Sequence, residues 1–127
     1  MKNGMEIYQK ALALLGESSE NCRTVWQERA IPLINLLLAE LAELDCALRG
    51  EPFPADGTIL QITSLEENLG YTETILYSVM PLGLAGYLLN EEEPSRSDFY
   101  LQLYHKEREV LRSRLRRGRR HSIRRKV

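Results

Sequence analysis

The run Ala30-Ile31-Pro32-Leu33-Ile34-Asn35-Leu36-Leu37-Leu38-Ala39-Glu40-Leu41 decides how this chain folds. From Leu33 to Leu38 apolar side chains fall on almost every side of a helix, so this segment must be covered on more than one face. It sits inside a longer helical stretch, residues 22–49, that also places Val25, Trp26, Leu44 and Leu48 at helical spacing. Ser18, Ser19 and Asn21 offer N-caps ahead of it, and Gly50 ends it. Pro32 removes the hydrogen bond to the Glu28 carbonyl and crowds it, so the reading expects a kink there, or two helices joined near Ala30.

Working outward, residues 5–15 carry Ile7, Ala11, Leu14 and Leu15 on one helical face, and Gly16 stands where a left-handed C-terminal residue belongs. On the other side, residues 51–63 hold Pro52, Pro54, Asp56 and Gly57, which are turn residues. Within them, Thr58-Ile59-Leu60-Gln61-Ile62-Thr63 reads as a short extended segment. A connection of this length is long for a compact domain and often serves function. Ser64-Leu65-Glu66-Glu67 fits a capping box and opens a short turn that stops at Gly70.

Thr72 then caps a third main helix, residues 73–89, with a broad apolar surface and a bend expected at Pro81. Gly83, Ala85 and Gly86 leave that helix thin enough for another to approach closely. An acidic link, Asn90-Glu91-Glu92-Glu93-Pro94, leads to a last helix capped by Ser95 or Ser97. Tyr100, Leu103, Tyr104, Leu111 and Leu115 step along it, and Gly118 marks its expected end. The class is therefore all-α: about four main helices in a bundle-like packing, bent at the two prolines, with one long loop and a basic arm.

The 127 residues suffice for one domain, and 43% hydrophobic with 28% charged side chains is ordinary for a chain that buries a core. No apolar run reaches the ~18 residues of a membrane-spanning helix. Met1 to Ile7 lacks the apolar stretch of a secretory signal. Cys22 and Cys46 lie in one expected helix, roughly 36 Å apart at 1.5 Å per residue, far beyond the ~7 Å that a disulfide spans. Reduced thiols are the expectation. His105 and His121 have no Cys, Asp or Glu at a metal-ligand spacing. No phosphate loop, dinucleotide fingerprint or nucleophile elbow is present, so the sequence offers no case for an enzyme and none for a cofactor.

The net charge of -1 conceals two opposed blocks. Residues 112–127 carry nine bases and no acid: Arg112, Arg114, Arg116, Arg117, Arg119, Arg120, Arg124, Arg125 and Lys126. The remaining 111 residues hold eight bases and all 18 acids, a formal -10 against +9. Such a basic arm is either a solvated tail or an element awaiting an anionic partner: nucleic acid, an acidic protein surface, or the acidic body of another copy. The organisation is thus a helical domain, residues 1–111, and an arm, residues 112–127.

Three segments in this order carry a resemblance: the opening run, then Ile62-Thr63-Ser64-Leu65-Glu66-Glu67, then Val79-Met80-Pro81-Leu82-Gly83-Leu84-Ala85-Gly86-Tyr87-Leu88-Leu89 followed by an acidic break, Phe99 and Tyr104. Together they resemble the small head-tail connector proteins of tailed bacteriophages and prophages, also called adaptor or head-completion proteins. The resemblance spans most of residues 5–111. It implies a helical fold without catalysis, and a ring of usually twelve copies beneath the portal protein. Such a ring extends the channel through which DNA passes and receives the next neck or tail component. It also implies a place in the virion neck after assembly in the host cytoplasm, with no membrane partner. In such proteins the C-terminal segment commonly docks onto the portal, a role that falls here to residues 112–127. An arm so dense in arginine departs from the family pattern, leaving portal and DNA path both open as its partner.

Two further expectations come from the residues themselves. Opposite charge on body and arm suits identical head-to-tail contacts that close into a ring. The long loop, at Thr58, Ile59, Leu60, Gln61 and Ile62, offers another subunit contact. The competing reading is a nucleic-acid-binding protein that uses its arginine-rich tail. Against it stand the acidic body, the lack of a helix-turn-helix or zinc-finger pattern, and the lack of stacking aromatics in the tail.

Overall fold

The computed structural model describes residues 2–16 and 24–125, with side chains for 2–16 and 26–118. Among the described residues four α-helices form: α1 (Gly4–Leu14), α2 (Thr24–Arg49), α3 (Met80–Leu89) and α4 (Pro94–Arg125). Among the described residues there is no β-strand. One isolated antiparallel bridge pairs Asn3 with Asn68. The expected caps Ser18, Ser19 and Asn21, and Cys22, lie outside the described residues.

Helix α1 starts under Asn3, whose Oδ1 accepts from the Glu6 N–H at 3.0 Å, and stops before Gly16 at φ 77°. Helix α2 then runs without a break to Gly50 at φ 72°. This corrects the two-helix alternative at Ala30. Pro32 and Glu28 are both exposed, so the Glu28 carbonyl that the ring leaves unbonded lies on the solvent side of the helix and costs little there. The opening run forms the centre of α2, and Ile34, Leu37, Leu38 and Leu41 are fully buried. Leu36, in the same run, is not; it is one of the exposed large hydrophobics.

The third helical stretch contains a change of pitch that the sequence reading did not foresee. Residues Ile75–Val79 form a π-helical turn, and the Met80 N–H donates to the Ile75 carbonyl five residues back. Pro81 follows at once, in the first turn of α3, where a missing N–H leaves no interior bond unmade. Thr72 does precede this stretch, but it serves through its carbonyl, which accepts from Leu76 at 3.0 Å. Its hydroxyl makes no hydrogen bond among the described residues.

Helix α3 packs against α1, α2 and α4 at once, and eight of its ten residues are buried. Two glycines make this possible. A Cβ at Gly83 would stand 2.6 Å from Leu37 Cδ2 and 3.1 Å from the Tyr104 ring, and one at Gly86 would stand 2.7 Å from Leu101 Cγ. Helix α4 begins at Pro94, so neither Ser95 nor Ser97 caps it. Proline is the favoured first residue of a helix, and Ser97 is instead buried, its hydroxyl donating to the Gly86 carbonyl at 2.7 Å.

Residues 51–69 wrap the α1–α2 side as irregular chain. The extended stretch expected at residues 58–63 makes no strand pairing. Its Ile62 backbone is held by the Asn35 side chain instead, which donates at 2.9 Å and accepts at 2.8 Å. The capping box is half formed: Glu67 accepts from the Ser64 N–H at 2.8 Å, while the Ser64 hydroxyl accepts from Glu66, and a turn follows rather than a helix. The Thr63 and Ser64 N–H donors hold the Glu67 carboxyl below its usual range.

Candidate functional site

The site begins where α4 leaves the core. Glu40, on the half-buried side of α2, accepts the Tyr87 phenol at 2.9 Å and the Tyr104 phenol at 2.8 Å. Burial, and then the bond to Glu40, pushes Tyr87 up to about 12 and Tyr104 higher still. One turn beyond Tyr104, the Arg108 guanidinium lies 5.2 Å from its ring centroid and donates to the Glu40 backbone carbonyl at 3.3 Å. The Arg108 Nε is buried and makes no hydrogen bond among the described residues. Two phenols, a carboxylate and a guanidinium thus lock α4 against α2 and α3. Every member is used in that lock, which makes it a structural joint; a cation bound by stacking on an aromatic face is a known source of such attachment.

Past this joint α4 loses its hold. Tyr104 and Leu111 are buried and Leu115 is half-buried. The next positions on that stripe, at three- and four-residue steps, are Gly118, Arg119, Ser122 and Ile123, of which Ile123 alone is a large apolar residue. The helix nevertheless continues to Arg125, so the expected end at Gly118 is corrected. Gly118 has no positive φ and nothing near its Cβ position, and helix-favouring arginines flank it. The ten residues after Leu115 carry α4 about 15 Å further.

Of the nine basic arm residues, Arg112 and Arg116 share Glu109, at 3.9 and 2.7 Å, and the Arg116 bond holds the Glu109 carboxyl below its usual range. Arg114 and Arg117 are exposed and make no ion pair among the described residues. Arg119, Arg120, Arg124 and Arg125 have helical backbone, with side chains outside the description; Lys126 lies outside it altogether. In the loop, Ile62 is 2% exposed and Ile59 half-buried, so these two anchor it. Thr58, Leu60 and Gln61 are exposed and form its outer surface.

The loop and the arm meet across a groove of about 540 Å³ that the sequence reading missed. Leu44, Phe53, Ile59 and Leu115 contribute apolar surface to it. Arg108, Arg112 and Arg116 line its α4 wall, and Glu40 and Glu43 its α2 wall. The arginine spacing of four along one helix was the available signal, but nothing in the sequence placed Phe53 and Ile59 opposite them.

Among the described residues no group of His, Cys, Asp and Glu is placed to hold a metal ion, and no helix is long and apolar enough to cross a membrane. Cys46 is buried and free. No family model, curated protein or solved structure matches this chain.

Proposed function

We propose that this chain is a non-catalytic building block of a tailed-phage particle: a head-tail connector subunit that assembles as a ring on the portal protein. The ring extends the DNA channel towards the next neck or tail component. The reading takes the four helices as a bundle-like unit bent near Pro32 and Pro81, with residues 112–127 as the element that engages the portal.

The observation that carries this reading is the exit of α4 from the body. A helix that is pinned at Tyr104 and Arg108, and that beyond Leu115 keeps one large apolar residue, Ile123, among six arginines, is built to present charge to another molecule. The arm is basic, with nine Lys or Arg and no acid, so its partner has to supply anionic surface. The three segments that resemble connectors support the same reading from different places. One is the buried centre of α2, one is the turn over α1, and one is the thin helix α3 at the middle of the packing.

Co-expression with a portal ring, followed by imaging of the complex, tests it. The full chain is expected to decorate the portal, and a chain ending at Leu111 is expected to fold but not attach. Attachment by the shortened chain would overturn the arm's role. Absence of attachment by the full chain would overturn the connector reading.

One observation favours a second reading. Arg114 and Arg117 are exposed on a helix with no acidic partner among the described residues, as phosphate-binding arginines would be. On this reading the full chain binds DNA without any portal, with an affinity that falls steeply as salt rises. The chain ending at Leu111 then binds none.

A further inference from the structure

Residues 52–61 cross α2 between two firm fixings. At one end Arg49 reaches the fully buried Asp45 at 2.9 Å and Glu51 at 3.1 Å, and the Glu51 N–H donates to the Cys46 carbonyl at 2.9 Å. At the other end Asn35 holds both backbone groups of Ile62. Between these fixings, no hydrogen bond joins the segment to the rest of the chain among the described residues. Its two bonds are internal: the Gly57 N–H donates to the Pro54 carbonyl and the Thr58 N–H to Asp56 Oδ1, each at 3.0 Å. Every residue of the segment is exposed except Phe53 and Ile59, which are half-buried.

Those two anchors are thinly backed. Both line the groove of about 540 Å³ on the α4 side, and both line a second cavity of about 220 Å³ on the side of Leu69 and Tyr71. A side chain with open space on two sides forfeits the dispersion contacts that a packed core residue makes. Segments with few buried apolar contacts and no ladder of backbone bonds open at a far lower free energy than the core does. Pro52 and Pro54 fix φ on either side of Phe53, which stiffens the start of the segment. Bending therefore falls at its ends, on the left-handed Gly50 and just ahead of Ile62.

Cys46 lies on α2 beneath this segment. It is 8% exposed, and it lines the smaller cavity together with Phe53, Ile59 and Leu60. We propose that residues 52–61 form a strap that lifts from α2 as one piece, hinged at Gly50 and Ile62, while the four helices stay packed. Phe53 and Ile59 leave with it, so the wall shared by the two cavities goes and one cleft runs along α2 from Tyr71 to α4. The device is built into a single chain and does not rest on the connector reading.

Thiol modification of the full chain carrying Cys22→Ser tests it, since Cys46 is then the single thiol. The rate at which a chromogenic aromatic disulfide modifies Cys46 is followed from zero denaturant upward. A lifted strap exposes little surface, so the rate should hardly change at low denaturant and climb steeply only where global unfolding sets in. Phe53→Ala and Ile59→Ala, combined in one variant, should speed the low-denaturant reaction several-fold without steepening it. Leu12→Ala is the control: Leu12 is buried in α1 and lines neither cavity. It should lower the unfolding midpoint and leave the low-denaturant rate where it was. A rate that climbs with denaturant from the start, or that Leu12→Ala raises as much as the strap variant does, means that Cys46 is reached only by global unfolding and overturns the strap. A rate equal to that of the unfolded chain, or one that the strap variant leaves unmoved, means that the strap does not cover the thiol and overturns it equally.

Discussion

Asn35 holds Ile62 as a neighbouring strand would. The Asn35 Nδ2 donates to the Ile62 carbonyl at 2.9 Å, and its Oδ1 accepts from the Ile62 N–H at 2.8 Å. Ile62 can then bury its side chain to 2% exposure in a segment without secondary structure, because both of its backbone groups are satisfied. The side chain of Ile62 in turn closes over Gly4, where a Cβ would stand 3.2 Å from its Cδ1. One amide therefore links the middle of α2, the loop and the start of α1.

Asn35→Ala is expected to lower stability by about 2 kcal/mol, the usual worth of two hydrogen bonds of 0.5–1.5 kcal/mol each. Denaturant unfolding measures that loss. Hydrogen exchange should show the Ile62 amide, protected in the parent chain, exchanging freely in the variant. An Ile62 amide that stayed protected would mean the loop is held by its apolar anchors instead.

Much of this architecture is legible in the residues, and the exceptions have physical reasons. The apolar centre of α2, the left-handed glycines at 16 and 50 and the long irregular connection all follow from local rules: periodicity, φ > 0 and turn chemistry. What escaped the reading depends on tertiary partners. Ser97 reads as a cap, but its hydroxyl found the Gly86 carbonyl of another helix. Gly118 reads as a stop, but a stop requires a left-handed backbone there, which the chain does not adopt. The groove escaped because its walls come from helix α4, helix α2 and the loop, which are far apart in sequence.

Alanine at Gly86 and at Gly83 should displace different parts of the core. At Gly83 the new methyl would meet Leu37 Cδ2 at 2.6 Å and the Tyr104 ring at 3.1 Å, and both side chains are fully buried. At Gly86 the new methyl would meet Leu101 Cγ at 2.7 Å and the Leu101 backbone nitrogen at 3.2 Å, so α4 itself must move. Alanine gains up to ~1 kcal/mol of helix propensity over glycine, and overpacking costs about 1–3 kcal/mol. Both variants are expected to be destabilising in denaturant melts, Gly86→Ala by displacing α4 and Gly83→Ala by displacing the buried Leu37 and Tyr104 side chains. Full stability of Gly86→Ala would contradict the close approach of α4 to α3.

The phenols at Glu40 predict an alkaline limit. Tyr87 is pushed up to about 12, chiefly by burial and then by its bond to Glu40, and Tyr104 is raised further for the same reasons. In the unfolded chain both ionise near 10. A group raised in the folded state stabilises the fold fully below the unfolded value, and that contribution is lost as pH rises through the folded one. Stability should therefore decline from about pH 10 upward. Tyrosinate absorbance should show part of the tyrosine ionising only as the circular dichroism signal collapses. Glu40→Gln removes the carboxylate but not the burial, so its delayed ionisation should begin earlier than in the parent chain and still later than in the unfolded one. A tyrosine titration complete near pH 10 in the folded protein would refute the buried pair.

Position 118 offers a test with opposite signs for two backbones. If Gly118 ended α4 in the left-handed region, alanine there would be strained and the arm would loosen. In the helix that α4 forms to Arg125, Gly118 has a right-handed backbone and open space around its Cβ position. Gly118→Ala should then stabilise the arm by up to ~1 kcal/mol, a several-fold slowing of amide exchange in residues 119–125, with higher helicity by circular dichroism. The body's unfolding midpoint should barely move, because nothing packs on that position. Gly118→Pro should do the opposite, since a proline there removes the bond to the Arg114 carbonyl and breaks the helix at the arm's root. If portal attachment needs a rigid extension, the alanine variant keeps or strengthens it and the proline variant loses it. Equal attachment by both would show that the arm's charge suffices without its helical form.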